Sequence, residues 1–478
     1  MTAYTAGFSM LSGAGIREID RAGRKILRQV GVRIPDESML EQLRAAGARV
    51  DAGSQRAYLP GKWLDEILQS APSRFILSSR DGKSDVHLGE GRVHFGNGGR
   101  VFRVRDLDTG EHRPTSLRDV ACAAALVDRL ENIRFFIVPC QAHDLQPGDY
   151  HLNTFYRAFC HTGRHVMGGC DGPEDVHQIW ELAAAIAGGR NRLRDRPLFS
   201  VITNLISPLT LDPLVAETLR FCCRRGIPVT CAPAPISGAT APGTLAGTLA
   251  QMHAEALAGV ALAQVFAPGC RVLYGAVPAT MDLRKMEFAM GSVESAMLNA
   301  AAVQLARRYR LPIYASAGVS DAKTPDVQAG YEKTLSMLLV ALSGADYIHL
   351  AAGMLDSGNT MSYEQYVIDD ECAGMVHRVL KGIAVDGEKL GLEVIRKAGP
   401  GGNFVAEDHT VDHMMDEFFF PGLAVRSNFD IWEQEGGPGV AERAREKARE
   451  ILGGGPNEFL DPGQISAIRR KFPGIQDI

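Results

Sequence analysis

The stretch Ala345-Asp346-Tyr347-Ile348-His349-Leu350-Ala351-Ala352-Gly353 decides the fold. It reads as a short, fully buried strand that carries one polar side chain, His349, near its carboxyl end. Strands of parallel sheets are covered on both faces, so they appear as continuous apolar runs. A catalytic barrel places polar groups where such strands finish. The reading of this stretch therefore depends on how many similar strands come before it.

Seven more are found upstream: Val93–Asn97, Ile133–Cys140, His165–Cys170, Leu198–Leu205, Ile227–Ala234, Arg271–Ala276 and Pro312–Ala317. With Asp346–Ala351 they make eight. Helical patterns separate them, at roughly 116–130, 150–161, 173–188, 213–225, 243–267, 292–309, 327–343 and 361–380. The strand starts are about 36 residues apart, the scale of a right-handed βαβ unit. Eight such units predict a (β/α)8 TIM barrel over residues 93–385. A doubly wound open sheet usually has fewer strands and a Gly-rich phosphate turn after its first strand. Here Gly96-Asn97-Gly98-Gly99 is followed by Val101 where that turn needs Gly or Ala.

Residues 1–92 read as an N-terminal helical extension. Ile19, Ala22, Ile26, Leu27 and Val30 recur at helical spacing before Gly31. Residues 386–478 read as a C-terminal arm packing on the barrel, with a final helix over Ala441–Leu452 and a Gly-rich loop after it.

Bulk properties exclude several classes. The 478 residues are 45% hydrophobic and 22% charged, with a net charge of -5. That balance gives no basic footprint for nucleic acid or an anionic membrane. The nine cysteines include no C-x-x-C pair, which fits a reduced compartment rather than a disulfide framework. Neither a signal-peptide pattern nor a membrane-length apolar run is found, so a soluble, cytoplasmic protein is expected.

The ends of the strands supply the candidate site. They carry Asn97, Cys140 with Gln141 and His143, Cys170, Asn204, Tyr274, Ser316 and His349. Any one of these can simply satisfy a loop hydrogen bond, but a histidine inside so apolar a strand needs a partner or a ligand. The loop after the seventh strand adds Asp321 and Lys323, either an anion contact or a helix cap with a solvated lysine. Rings placed near the expected mouth, Phe95, Phe102, Tyr274, Tyr314, Tyr331 and Tyr363, could hold a quaternary ammonium by cation–π attraction. His409 and His413 have zinc-ligand spacing, but Thr410 stands where a metalloprotease has glutamate. No hydrolase elbow or Walker sequence is present.

The sequence also resembles the trimethylamine:corrinoid methyltransferase family, and within it the pyrrolysine-free members that act on quaternary amines such as glycine betaine. The likeness runs through Gln29–Ile34, Ala45–Asp51, Asp108–Thr115, Ser320–Glu332, Tyr366–Glu371, Gly399–Phe404 and Glu407–Thr410. It implies a (β/α)8 barrel that moves a methyl group from an amine nitrogen to the Co(I) centre of a separate corrinoid protein. No cofactor is then bound tightly by this chain, because the cobalamin belongs to the partner. Trimethylamine-specific members use pyrrolysine. This chain has only standard residues, with the loop around Lys323 the place to look for the equivalent position. A quaternary amine is therefore the expected substrate, held by His349, Asn97, Asn204, Phe95, Tyr274, Tyr331 and Asp321. No catalytic residue and no metal is expected, and the chain is expected to form a homo-oligomer. Two alternatives stay open: a metal-dependent TIM-barrel lyase using His409 and His413, and a non-catalytic amine-binding barrel.

Overall fold

Eight parallel strands close into a barrel in chain order in the computed structural model, which describes residues 8–455 and 459–477. They are β1 (His94–Asn97), β2 (Ile133–Ile137), β3 (His165–Gly169), β4 (Phe199–Thr203), β5 (Val229–Cys231), β6 (Val272–Ala276), β7 (Ile313–Ser316) and β8 (Tyr347–Ala352). Each pairs in parallel with its neighbours, and β8 closes on β1. The expected strands are all present, the first seven shortened at their ends and the eighth shifted by one residue. The main helix after each strand is, in order, α1 (Leu117–Arg129), α2 (Tyr150–His161), α3 (Pro173–Ala187), α4 (Pro213–Arg225), α5 (Leu245–Phe266), α6 (Val293–Arg308), α7 (Val327–Leu342) and α8 (Tyr363–Lys381), and a short helix, Arg190–Asp195, lies between α3 and β4.

Local chemistry sets the helix ends. Pro173 and Pro213 open α3 and α4 at positions where a missing N–H costs nothing. Asp212, Thr244, Ser292, Asp326 and Ser362 accept backbone N–H bonds at the starts of α4 to α8. Gly188 and Gly226 end α3 and α4 in the left-handed conformation.

The end of the barrel where the strands start is plugged. An antiparallel hairpin, Phe75–Leu77 with Val86–Leu88, sends Leu77, Val86 and Leu88 into one buried cluster with Phe135, Met167 and Tyr347. Each such side chain contributes about 1.5–3 kcal/mol when fully buried. Asp346, at the foot of β8, accepts from Gly89 N at 2.7 Å and Ile313 N at 3.0 Å, which fixes the hairpin to the barrel.

The flanking regions differ from the sequence reading. The N-terminal extension has the three expected helices, Gly13–Gln29, Glu37–Ala45 and Gly61–Leu68. It also holds a small antiparallel sheet of Val32–Arg33, Arg49–Asp51 and Arg56–Tyr58. Strands of two or three residues are too short to show an alternating pattern. The first seven residues of that extension lie outside the described residues. Among the described residues the C-terminal arm carries five helices rather than one, and Pro462–Lys471 follows the expected Gly-rich loop. No helix among the described residues is long and apolar enough to cross a membrane.

Candidate active site

At the end of the barrel where the strands finish, a cavity of about 470 Å³ opens between the loops, within the ~300–1,000 Å³ range of small-molecule sites. His349, Tyr314 and Asn204 line it, together with Cys170. Side chains alternate across a strand, so Tyr347 and His349 point into the barrel from β8. The His349 ring stacks on Tyr314, centroids 3.9 Å apart and 19° from parallel. Ser316 Oγ and His349 Nε2 share a 2.6 Å hydrogen bond across β7 and β8. Burial pushes the His349 imidazole down to about 3, so the ring is neutral at physiological pH. The next residue, Leu350, has φ 64°, a strained value for a leucine, where the β8–β1 register shifts. Leu350 itself lines the cavity.

Alternation also explains which predicted residues lie elsewhere. Phe95 is fully buried on the outer face of β1, edge-on to His377 of α8. Asn97 lies on that same face. Its Nδ2 donates to Ile137 O at 2.8 Å and its Oδ1 accepts from Ile137 N at 2.7 Å, stitching β1 to β2. Tyr274 points outward to a 2.8 Å hydrogen bond with His253 Nδ1 of α5. Tyr331 is exposed on α7. None of these four is among the cavity-lining residues. Asp321 is one step removed: it accepts from Ser357 Oγ at 2.7 Å and Gly291 N at 2.9 Å, and Ser357 lines the mouth. Phe102 and Tyr363 are likewise outside the cavity wall, the first exposed and the second buried against Asp119.

The sequence reading missed a charged group on the opposite wall. Arg100, three residues beyond β1, lies with its guanidinium 4.7 Å from the Tyr150 ring centre and 3.3 Å from Asp171 Oδ1. His151 Nε2, almost fully buried, is 3.0 Å from Asp171 Oδ2. Burial alone would raise the Asp171 carboxyl, but His151 and Arg100 hold it below the usual carboxylate range. Arg100 and Asp171 follow strand ends by two or three residues, and that offset was the available signal. His151 and Tyr150 start α2, where nothing in the sequence marks them.

His151, Asp171 and Asp175 form the one cluster among the described residues with three groups able to ligate a metal. Its chemistry favours an ion-pair network instead. Asp175 Oδ2 already accepts from Asp171 N and Gly172 N, and Arg100 supplies a positive charge beside Asp171. His409 and His413 face each other on the arm, with His409 Nε2 3.1 Å from Glu388 O and neither on the cavity wall. Lys323 is also outside it, exposed and paired with Asp356 Oδ1 at 2.6 Å.

The family model described as trimethylamine methyltransferase (MTTB) matches residues 2–472. The chain belongs to the trimethylamine methyltransferase family. It is 36% identical over 466 residues to trimethylamine methyltransferase MttB of Desulfitobacterium hafniense, covering 98% of this chain and 93% of that one. It is 32% identical to the glycine betaine methyltransferase of another strain of that species, covering 97% and 96%. The Methanosarcina thermophila MttB is 35% identical, covering 94% and 96%. The crystal structure of the hydroxylamine MtmB complex has the same fold, with a TM-score of 0.51 at 13% identity over 92% of each chain. Membership in the trimethylamine methyltransferase family and the closed barrel thus agree with what the strand ends and the spread motifs implied.

Proposed function

We propose that this chain moves an N-methyl group from a small quaternary amine bearing a carboxylate, of the glycine betaine type, to the Co(I) centre of a separate corrinoid protein. Family membership supports methyl transfer. The observation that carries the substrate class is the pairing of Arg100 and Asp171 on one wall with the neutral His349 and Tyr314 on the other.

A quaternary nitrogen is already positive, so it leaves as a neutral tertiary amine and needs no proton. A histidine held neutral suits that chemistry: it offers a hydrogen bond without competing with the cation for charge. The stacked rings of His349 and Tyr314 form that wall of the pocket. Arg100 takes the carboxylate, and Asp171 balances Arg100 when the site is empty. The pocket desolvates the cation and aims one methyl group at the open end. The corrin macrocycle does not fit into a cavity of this volume, so the chain's task is to present the methyl group at the mouth. All residues of the wall are standard ones, which favours a quaternary donor over trimethylamine.

The test is anaerobic demethylation of a betaine panel, followed through loss of the Co(I) absorbance of an added corrinoid protein. Glycine betaine or a close relative reacts, trimethylamine does not, and leaving out the corrinoid protein stops turnover. Cobalt that stays unmethylated with every betaine sinks the proposal. Arg100→Ala raises KM about 10- to 100-fold for the carboxylate-bearing substrate, the ~1.5–3 kcal/mol of a charge-assisted hydrogen bond. Binding of tetramethylammonium, which lacks the carboxylate, stays unchanged. Equal losses for both ligands remove Arg100 from carboxylate recognition.

A further inference from the structure

Helix α5 lies tight against the barrel. A Cβ added at Gly259 would stand 2.4 Å from Cys231 Cβ, the end of β5, and 3.3 Å from Leu205 Cδ1, just past β4. Gly259 is therefore level with the ends of the strands. Because α5 follows β5, it starts at the mouth and runs back toward the plugged end. Glu255 stands four residues before Gly259, one turn of ~5.4 Å nearer the mouth. That is the height of the cavity, although Glu255 is not among the residues that line it.

The Glu255 side chain is fully buried. Its Oε1 accepts from Leu209 N at 2.9 Å and from Gln251 Nε2 at 3.0 Å, and its Oε2 accepts from Ser207 Oγ at 2.7 Å. Burial pushes the carboxyl up, and these three donors pull it back. Both oxygens act as acceptors, which is the behaviour of the ionised group. Other buried carboxylates have a cation: Asp119 pairs with Arg113, Glu364 with Arg105 and Asp369 with Lys333. Asp346 has none within ion-pair distance, but it lies at the foot of β8, the end away from the cavity. Among the described residues no arginine, lysine or histidine pairs with Glu255 either. A buried charge without a counter-charge is costly.

The partners of Glu255 place it behind one wall of the cavity. Ser207 and Leu209 belong to the loop after β4, three and five residues beyond Asn204, which lines the cavity. Gln251 also donates to Thr240 O, in the loop after β5. Thr203, Asn204, Ala232 and Ala234 form that wall, and none carries a charge. In the closed barrel β4 stands across from β8, so the wall faces His349.

We propose that Glu255 is the counter-charge of the substrate ammonium, acting across this neutral wall, an assignment that rests on the betaine-type substrate proposed above. A quaternary ammonium has no N–H to donate, so it gains nothing from a hydrogen bond to a carboxylate. It gains from a field, which acts at a distance where water is excluded. The wall also keeps the carboxylate oxygens away from the methyl group that cobalt must take. Glu255 is thus a positioning residue: it draws the ammonium to one side of the cavity while Arg100 holds the carboxylate.

Calorimetric titration of the full chain with two ligands tests it. One is glycine betaine; the other is 3,3-dimethylbutanoate, the same shape with a neutral quaternary carbon in place of the nitrogen. The wild type prefers the betaine by about tenfold or more. Glu255→Gln keeps the size of the side chain and removes its charge, so the preference disappears while affinity for dimethylbutanoate holds. Gln251→Lys leaves Glu255 and its bonds to the loop in place and sets a cation beside it, and the preference disappears there too. Circular dichroism checks the fold of each variant, and the lysine variant carries the test if the first does not fold. Equal losses for both ligands assign Glu255 to holding the loop and overturn the proposal. So does a preference for the betaine that survives both substitutions, or a wild type that binds the two ligands alike. A wild type that binds neither ligand overturns the betaine-type substrate itself, and this assignment with it.

Discussion

Two lysine–aspartate pairs bridge the seventh and eighth strand–helix units, one between their loops and one between their helices, and they differ sharply in burial. Lys323 Nζ binds Asp356 Oδ1 at 2.6 Å with the lysine 63% exposed. Lys333 Nζ lies 3.1 Å from Asp369 Oδ2 with both side chains fully buried. Lys333 also donates to Gly318 O after β7 and to Met354 O after β8, at 2.9 Å for the latter. The buried pair thus joins both loops to α7 and α8, whereas the exposed pair rests on their surface. Gly318 makes the close approach possible, since a Cβ there would stand 2.6 Å from Ala351 Cα. Surface ion pairs contribute little because water already solvates them. A buried pair broken on one side leaves a charge with no solvent.

Lys333→Met is the largest break. It strands Asp369 and costs about 3–5 kcal/mol in denaturant unfolding. A loss below ~1 kcal/mol would show that the two pairs are equivalent.

Acid is the next. Burial pushes His349 and His94 down to about 3, and His161, His165 and His377 to about 4. The unfolded chain then binds more protons between about pH 6.5 and 4, so stability is full above that window and falls as pH drops through it. Each such ring removes about 2 kcal/mol by pH 5. Asp369 works the other way: burial raises it to about 6, with Lys333 pulling against the rise, so its contribution strengthens as pH falls. The five rings outweigh it, and urea midpoints at pH 7 and pH 5 measure the net loss.

His349→Ala touches the seam between the two loops. It removes the bond to Ser316 and the face on Tyr314 while the lysine pairs stay intact. Substrate affinity falls about 10- to 100-fold, equivalent to ~1.5–3 kcal/mol, and the unfolding midpoint moves far less than in Lys333→Met. Calorimetric titration with a betaine reads this directly, and unchanged affinity removes His349 from the site. Lys323→Ala is the smallest, at ~0.5 kcal/mol or less; a loss of several kcal/mol would move the anchor of the loops to the surface.

The contrast between the lysines also marks what the sequence could tell. Lys323 drew attention because it sits in a loop after a strand, where function is expected. Lys333 is hidden in Gly330-Tyr331-Glu332-Lys333-Thr334, which reads as the solvated face of a helix. Its burial depends on how β7, β8 and α8 converge, and no local pattern encodes that. The eight strands were legible because burial on both faces makes them apolar throughout. That same uniformity hid the direction of each side chain. Phe95, Asn97 and Tyr274 had the right residue type near the right end of a strand but faced the helices. His349 stood out because a polar residue in such a strand has few places to go. Arg100 and Asp171 were missed because the loops after the first and third strands, unlike those after the second and seventh, were not searched for site residues.

The hairpin that plugs the barrel has a kinetic consequence. Among the described residues, the hairpin fills the end of the barrel opposite the cavity. Under the proposed function, a betaine and the tertiary amine it becomes would share the cavity's opening with the docking corrinoid protein, so an amine would enter before the partner arrives and its product would depart after the partner leaves. Turnover is then ordered, and excess corrinoid protein traps product and slows the cycle.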